Sequence, residues 1–290
     1  MEVFYLKKKL SILSLFLLVF CFVFVGCNIN SPSNTDNTKD MKVHYIDVGQ
    51  GDSILIQVNN KNMLIDCGPR DGKDKLFSYL ESQKITKLDY VVATHPHEDH
   101  IGNMADVIKK YDVDKFYAPK VEHTTKTFEK MIEALASKNL KITTIKAGTK
   151  SIDLGENTKV SVVAPNSATY DDLNDYSPII KVEYGKNSFL FTGDAEKKSE
   201  KEVLSKNYNI EADVLKLGHH GSSTSTSKEF FNAVNPSIAV ITLASDNKYG
   251  HPHKETINLL KEKKTTVYRT DTDGNIVLSS DGNKISKINK

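Results

Sequence analysis

The sequence predicts an α/β fold with two sheets inside and helices outside. Three observations carry this. From Met41 onward, short apolar runs of strand character alternate with amphipathic helical stretches along the whole remaining chain. Some runs alternate polar and apolar residues while others are wholly apolar, which suits strands that share a buried interior. Hydrophobic residues make up 39% of the 290 and charged residues 26%, enough for a packed core.

The elements follow in chain order. Lys7, Lys8 and Lys9 precede a 17-residue apolar run that ends at Gly26, and Cys27 follows. A positive start, an apolar stretch and a small residue make residues 1–26 an expected secretory signal. A retained membrane helix is the rival reading of the same run. The Gly26–Cys27 junction resembles the bacterial lipobox. Cleavage there would leave Cys27 as a lipidated first residue, anchored to the cell membrane with the body on the extracellular face. Residues 27–40 are polar, with one proline, and read as a tether. Residues 41–290 then form the domain. With Cys21 and Cys27 assigned to the leader, Cys67 stands alone, so no disulfide is expected within the domain.

Strands are expected at 42–48, 53–58 and 62–66, joined by turns that contain Gly, Asn and Lys. A helix is expected near 74–82, a buried strand at 88–94, and helices at 101–110 and 124–138. Strands at 113–119 and 159–165 end at prolines. A hairpin turns at Gly185–Asn187, a helix covers about 195–206, and strands recur at 212–218, 237–244 and 265–270. Helices fall near 227–234 and 254–263, and a hairpin through Asp281–Gly282 closes the chain.

The chemistry concentrates after the strand at 88–94, in "THPHEDHIGN". Pro96 keeps His95 extended. His95 and His97, two apart on extended chain, face one side and can converge on one ion. Asp99 stands near a helix start, where free amides favour a carboxylate. This mixture of imidazole and carboxylate suits zinc, with iron or manganese as alternatives.

"THPHEDHIGN" resembles the signature of the metallo-β-lactamase superfamily, a four-layer αββα sandwich of mixed α/β (α+β) class. "MLIDCG" (63–68), "FLFTGDAE" (189–196) and "LKLGHHGS" (215–222) match its other motifs in order. "IDVGQGDSILI" (46–56), "GHHGSS" (218–223) and "NKYGHPH" (247–253) are similar to the ComEC-type branch, the extracellular domains of competence proteins and their secreted relatives. Bacterial phosphorylcholine esterase is a more distant likeness.

The resemblance implies two divalent metal ions, with zinc expected. His95 and His97 would hold one. Asp99, His100 and His219 would hold the other, and Asp194 would bridge them. Asp66 would brace the metal loop and Asp47 the tight turn beside it. His220 and His251 would serve proton transfer or meet substrate, while Asp99 would also orient the attacking water. Asn174, Ser177 and Ser222 would contact substrate. One departure stands out. Superfamily hydrolases place another histidine before the bridging Asp, and here no histidine lies between His123 and His219. The first half-site is therefore expected to hold three protein ligands. His123 is expected on the surface, and His44 in a structural role.

The implied activity is metal-dependent hydrolysis, of a phosphodiester in DNA, a nucleotide or envelope phosphorylcholine. The alternative is a tethered binding protein without turnover. The formal net charge is +2, and basic and acidic residues balance once residues 1–26 are removed. Charge gives no support for a broad duplex-binding face. No protein partner is implied.

Overall fold

The computed structural model describes residues 40–288. The expected signal at 1–26, the lipidated Cys27 and the tether up to residue 39 lie outside the described residues.

Strands β1 (Met41–Tyr45), β2 (Ile54–Val58), β3 (Lys61–Ile65), β4 (Lys87–Val92), β5 (Asp112–Ala118) and β6 (Ile142–Thr144) build most of the first sheet. Strands β7 (Thr158–Val162), β8 (Ile180–Tyr184), β9 (Asn187–Phe191), β10 (Val214–Lys216), β11 (Ile238–Ile241) and β12 (Thr266–Arg269) build the second. The chain then returns through β13 (Ile276–Ser280) and β14 (Ile285–Lys287), which pair onto β1. The first sheet runs β14-β13-β1-β2-β3-β4-β5-β6 and the second β12-β11-β10-β9-β8-β7.

The sheets face each other across a core to which Tyr45, Ile56, Met63, Ile65 and Val92 come from one side and Val182, Phe189, Phe191 and Val240 from the other. Alternation along β2 and β3 sends Leu55 and Leu64 to the opposite face. There they meet helices α1 (Lys73–Ser82), α2 (Glu98–Ile101), α3 (Met104–Lys110) and α4 (Lys126–Ser137). The second sheet buries Leu190, Leu215 and Ala239 against α5 (Lys197–Ser205), α6 (Lys228–Val234) and α7 (Lys254–Glu262). Each of these leucines contributes about 1.5–3 kcal/mol when fully buried. The result is the expected four-layer αββα sandwich.

Two local departures have clear causes. The helix expected at 101–110 is two helices, broken at Gly102 and Asn103. A Cβ at Gly102 would lie 2.6 Å from the Gly68 carbonyl oxygen, and Asn103 Nδ2 donates to the carbonyls of Cys67 and Pro69. Strand β6 was not expected, because Ile142–Thr144 is exposed throughout and carries no burial pattern.

Strands β3 and β4 are parallel, as are β9, β10 and β11. Their carboxyl ends carry Asp66, His95, Asp194, the His219–His220 pair and the loop to His251. Open parallel sheets place ligand sites beyond strand carboxyl ends.

Candidate metal centre

His95, His97, Asp99 and His100 leave the end of β4 within six residues, with His97 as the residue before α2 and Asp99 in its first turn. Asp194 follows β9 and its backbone N–H donates to Ser177 Oγ at 3.2 Å. His219 and His220 follow β10 and both adopt left-handed backbone, φ 49° and 54°. Such conformations cost of order 1–3 kcal/mol in a non-glycine residue and gather at functional sites. Gly221 completes this turn at φ +85°, and a Cβ there would stand 2.7 Å from Pro252 Cβ.

Four donors converge. His100 Nε2 lies 3.2 Å from Asp194 Oδ2 and 3.8 Å from Asp99 Oδ2. His220 Nε2 lies 3.6 Å and 3.4 Å from the same two oxygens. Ligands of a tetrahedral ion with bonds of about 2.0–2.1 Å stand about 3.3–3.4 Å apart, so the set fits one divalent cation. The buried atoms His100 Nε2, His220 Nε2 and Asp194 Oδ1 have no hydrogen-bond partner among the described residues. Most buried polar atoms in proteins are hydrogen-bonded, and three unpartnered ones gathered at a single point fit a metal.

Next to them, His95 Nε2 and His97 Nδ1 stand 2.9 Å apart, and His95 Nε2 is 3.9 Å from Asp194 Oδ2. Asp194 Oδ2 thus faces both half-sites. Only three protein donors meet on the His95–His97 side among the described residues, and His123 is not one of them. Its Nδ1 meets Thr125 Oγ1 at the start of α4.

Ring tautomers are set from behind. His100 Nδ1 meets Asp66 Oδ2 at 2.8 Å and His220 Nδ1 meets the Thr242 carbonyl at 2.8 Å. Both partners accept, so each Nδ1 carries a proton and each Nε2 is the nitrogen left to bind an ion once its own proton is displaced. Asp66 is fixed in turn by Thr94, whose N–H and hydroxyl both donate to it. Asp47 accepts the Gly49 N–H and pairs with Lys75.

The electrostatics divide the halves. Burial and neighbouring His100 hold His95 well below the ordinary imidazole value, and burial lowers His97. Burial opposes charge on His100 too, but Asp194, Asp99 and Asp66 outweigh it and hold it well above that value. His220 is raised against the same penalty by Asp194 and Asp99. Asp194 is pulled well below the carboxylate range by His100 and His220, which overcome its desolvation.

Several expected roles move. His220, 1% exposed, joins the four donors, while His219, 25% exposed, stays outside them. The two consecutive left-handed residues are the reason: they turn the second ring inward and leave the first on the rim. His219 Nδ1 meets Glu196 Oε1 at 3.2 Å, and its Nε2 stands 3.7 Å from Asp194 Oδ2. Ser177 and Ser222, expected against substrate, are buried. Ser177 Oγ supports His95 Nδ1 at 3.2 Å and the Asp194 amide, and Ser222 Oγ accepts the Thr224 N–H. Asn174 is also buried, its Nδ2 donating to Glu196. His251 does face the cleft, with its ring 5.4 Å from His219. Burial and then His220 and His219 push its pKa down to about 4. It is therefore neutral near pH 7 and holds no imidazolium proton to pass to a leaving group there.

The sequence alone does not single out Lys216 and Thr242, which with Asp52 form a buried group beneath His220. Lys216 Nζ lies 2.8 Å from Asp52 Oδ2, the Thr242 hydroxyl donates to Asp52 Oδ1, and His220 Nδ1 is 3.4 Å from that oxygen. A lysine inside an apolar strand reads as a break in pattern, and its burial beside a carboxylate was the available signal.

Residues 46–244, more than half of the chain, match the family described as the metallo-beta-lactamase superfamily. The chain belongs to the metallo-beta-lactamase superfamily. It is 32% identical over 253 residues to ComE operon protein 3 of Bacillus subtilis (strain 168), which covers 81% of this chain and 32% of that protein. It is 28% identical over 230 residues to Competence protein ComA of Neisseria gonorrhoeae, covering 79% and 30%. The resemblance to competence proteins of the ComEC type is thereby upheld, and this superfamily chain spans about a third of the length of those relatives. The metallo-beta-lactamase fold protein YhfI from Bacillus subtilis superposes with a TM-score of 0.54 at 17% identity, over 83% of this chain and 100% of that one. That likeness bears on the fold. Among the described residues, no helix is long and apolar enough to cross a membrane.

Proposed function

We propose that this metallo-hydrolase-family chain cleaves phosphodiesters, with nucleotides or single-stranded nucleic acid as substrates, at a centre holding two zinc ions. The observation that carries the reading is Asp194, whose Oδ2 faces His95 on one side and His100 and His220 on the other. Bound divalent ions supply Lewis acidity, which activates water near neutral pH and offsets charge building on the attacked phosphorus. The likeness to competence proteins noted above is what supports nucleic acid over other diesters.

The chain's own residues do the rest. His95, His97 and Asp194 hold one ion, and Asp99, His100, His220 and Asp194 hold the other. Asp99, part exposed at the cleft, also orients the attacking water. His219 delivers a proton to the leaving oxygen from its Nε2, while Glu196 accepts from Nδ1 and fixes the ring. His251 walls the cleft and excludes water. The chain acts on the outer face of the cell membrane, tethered through lipidated Cys27. Radiolabelled palmitate incorporation that disappears in Cys27→Ala is the check on that anchor.

The activity is tested with the full chain loaded with zinc, manganese or iron. Substrates are bis-p-nitrophenyl phosphate, single-stranded DNA, a phosphorylcholine ester and a chromogenic cephalosporin. Turnover of the diester and DNA above about 1 s⁻¹, lost in Asp194→Ala, is expected. No metal uptake and no turnover with any ion would overturn the reading in favour of a binding protein.

A further inference from the structure

The motif "NKYGHPH" is not absorbed by the metal centre, and its loop is built with care. Asn247 staples it: Nδ2 donates to the carbonyls of Ala244 and His251, both at 2.8 Å, and Oδ1 accepts the His251 N–H at 2.9 Å. His253 Nε2 meets the Tyr249 carbonyl at 3.2 Å. These bonds fix a tip that presents Lys248 and Tyr249. Tyr249 is 56% exposed, the most exposed large hydrophobic side chain among the described residues.

The ring is aimed. Tyr249 stacks on His251, with centroids 5.6 Å apart and planes at 23°, and His251 lies at 30° to the ligand His220 with centroids 6.3 Å apart. Three near-parallel rings thus lead from solvent to the metal centre. Tyr249 and Lys248 line a cleft of about 720 Å³ that also takes in Gln50, Arg70 and the ligand Asp99. That volume is within the range of small-ligand sites. Asp71 and Asp246 line the cleft too, so its charge is mixed and cannot alone draw in a polyanion.

We propose that Tyr249 is the stacking platform for a nucleobase of the substrate strand, next to the phosphodiester at the metal centre, with Lys248 contacting an adjoining phosphate. The inference rests on the phosphodiesterase reading and adds its base subsite. A flat ring suits every base, so binding here is sequence-tolerant. The rival occupant, a choline cation, is disfavoured by the make-up of the site. Quaternary ammonium groups use cages of several aromatic rings, whereas one exposed ring stands here beside the Lys248 ammonium, which has no ion-pair partner among the described residues.

The test is fluorescence anisotropy with the zinc-loaded full chain and two labelled phosphorothioate strands of equal length, one oligothymidylate and one abasic. Base stacking on an aromatic side chain corresponds to about a 5- to 150-fold change in affinity. Tyr249→Ala should weaken oligothymidylate by that factor and leave the abasic strand within about twofold. Tyr249→Trp should retain the wild-type affinity. Equal loss on both strands would mean that Tyr249 only props the loop and would overturn the proposal, as would no loss on either. Wild-type chain that binds phosphorylcholine and neither strand would overturn it as well. Failure of the catalytic reading registers separately, as absent turnover of bis-p-nitrophenyl phosphate by a chain that still prefers the base-bearing strand.

Discussion

At the residue scale, the two adjacent histidines have unlike tasks. His220 sits fully buried with its Nδ1 tied to the Thr242 carbonyl, whereas His219 stands on the rim against Glu196. His220→Ala should therefore remove one metal per chain, measured by elemental analysis. His219→Ala should keep both metals and lower kcat by about 10²–10⁴, the usual worth of a positioned proton donor. Behind the ligands, Asp66→Ala should weaken metal binding by about 10–100-fold, since outer partners orient the rings they bond. Protonation adds a pH signature. His100 and His220 are raised above the ordinary imidazole value, so near neutral pH the metal-free chain holds protons there that an ion must displace. Affinity of that half-site should fall as pH falls, about tenfold per pH unit for each proton displaced. His95 and His97 are lowered and already neutral, so their half-site should load with little proton release near pH 7. Titration calorimetry in buffers of different ionisation enthalpy counts the protons. Equal release at both half-sites would contradict this division.

At the element scale, the loop after β1 and the ends of β10 and β11 lock together beneath His220. Asp52 comes from the first and Lys216 and Thr242 from the others, so a buried ion pair ties the two sheets below the centre. Breaking such a pair from one side leaves a lone buried charge and costs about 3–5 kcal/mol. Lys216→Met should lower unfolding free energy by that amount in urea titrations, and adding Asp52→Leu should recover most of it. Gly51 lets the same loop pass under the metal loop, because a Cβ there would stand 2.2 Å from the Asp99 carbonyl oxygen. Much of this level was legible beforehand. The runs at 62–66 and 88–94 became β3 and β4 within a residue or two at each end, since long apolar alternation leaves a strand little choice. The break at Gly102–Asn103 was not legible, because it depends on Asn103 reaching carbonyls of the distant segment Cys67–Pro69.

At the scale of the whole molecule, two sheets each bring parallel strand ends to one edge, and the metal centre is assembled where those ends meet. Neither half of the sequence holds a complete site: His95 to His100 come from the first sheet, Asp194 and His220 from the second. The candidate donors and the shortfall of one on the His95–His97 half were readable from "THPHEDH" and the missing histidine. The choice between His219 and His220 was not, because it turns on two successive left-handed backbones that no local spacing encodes. Metals held across both sheets would stabilise the whole fold. Binding at a hundredfold excess over Kd contributes about 2.7 kcal/mol, so chelation should lower Tm by roughly 5–10 °C for a domain of this size. The most direct test of the proposal that Asp194 would serve two ions is metal stoichiometry by elemental analysis of wild type and Asp194→Ala, taken with turnover of bis-p-nitrophenyl phosphate on the same samples. Two ions per wild-type chain with turnover, and loss of both in the variant, is the expected result; a wild-type chain that binds no divalent ion, or a variant that keeps two ions and full turnover, would contradict it.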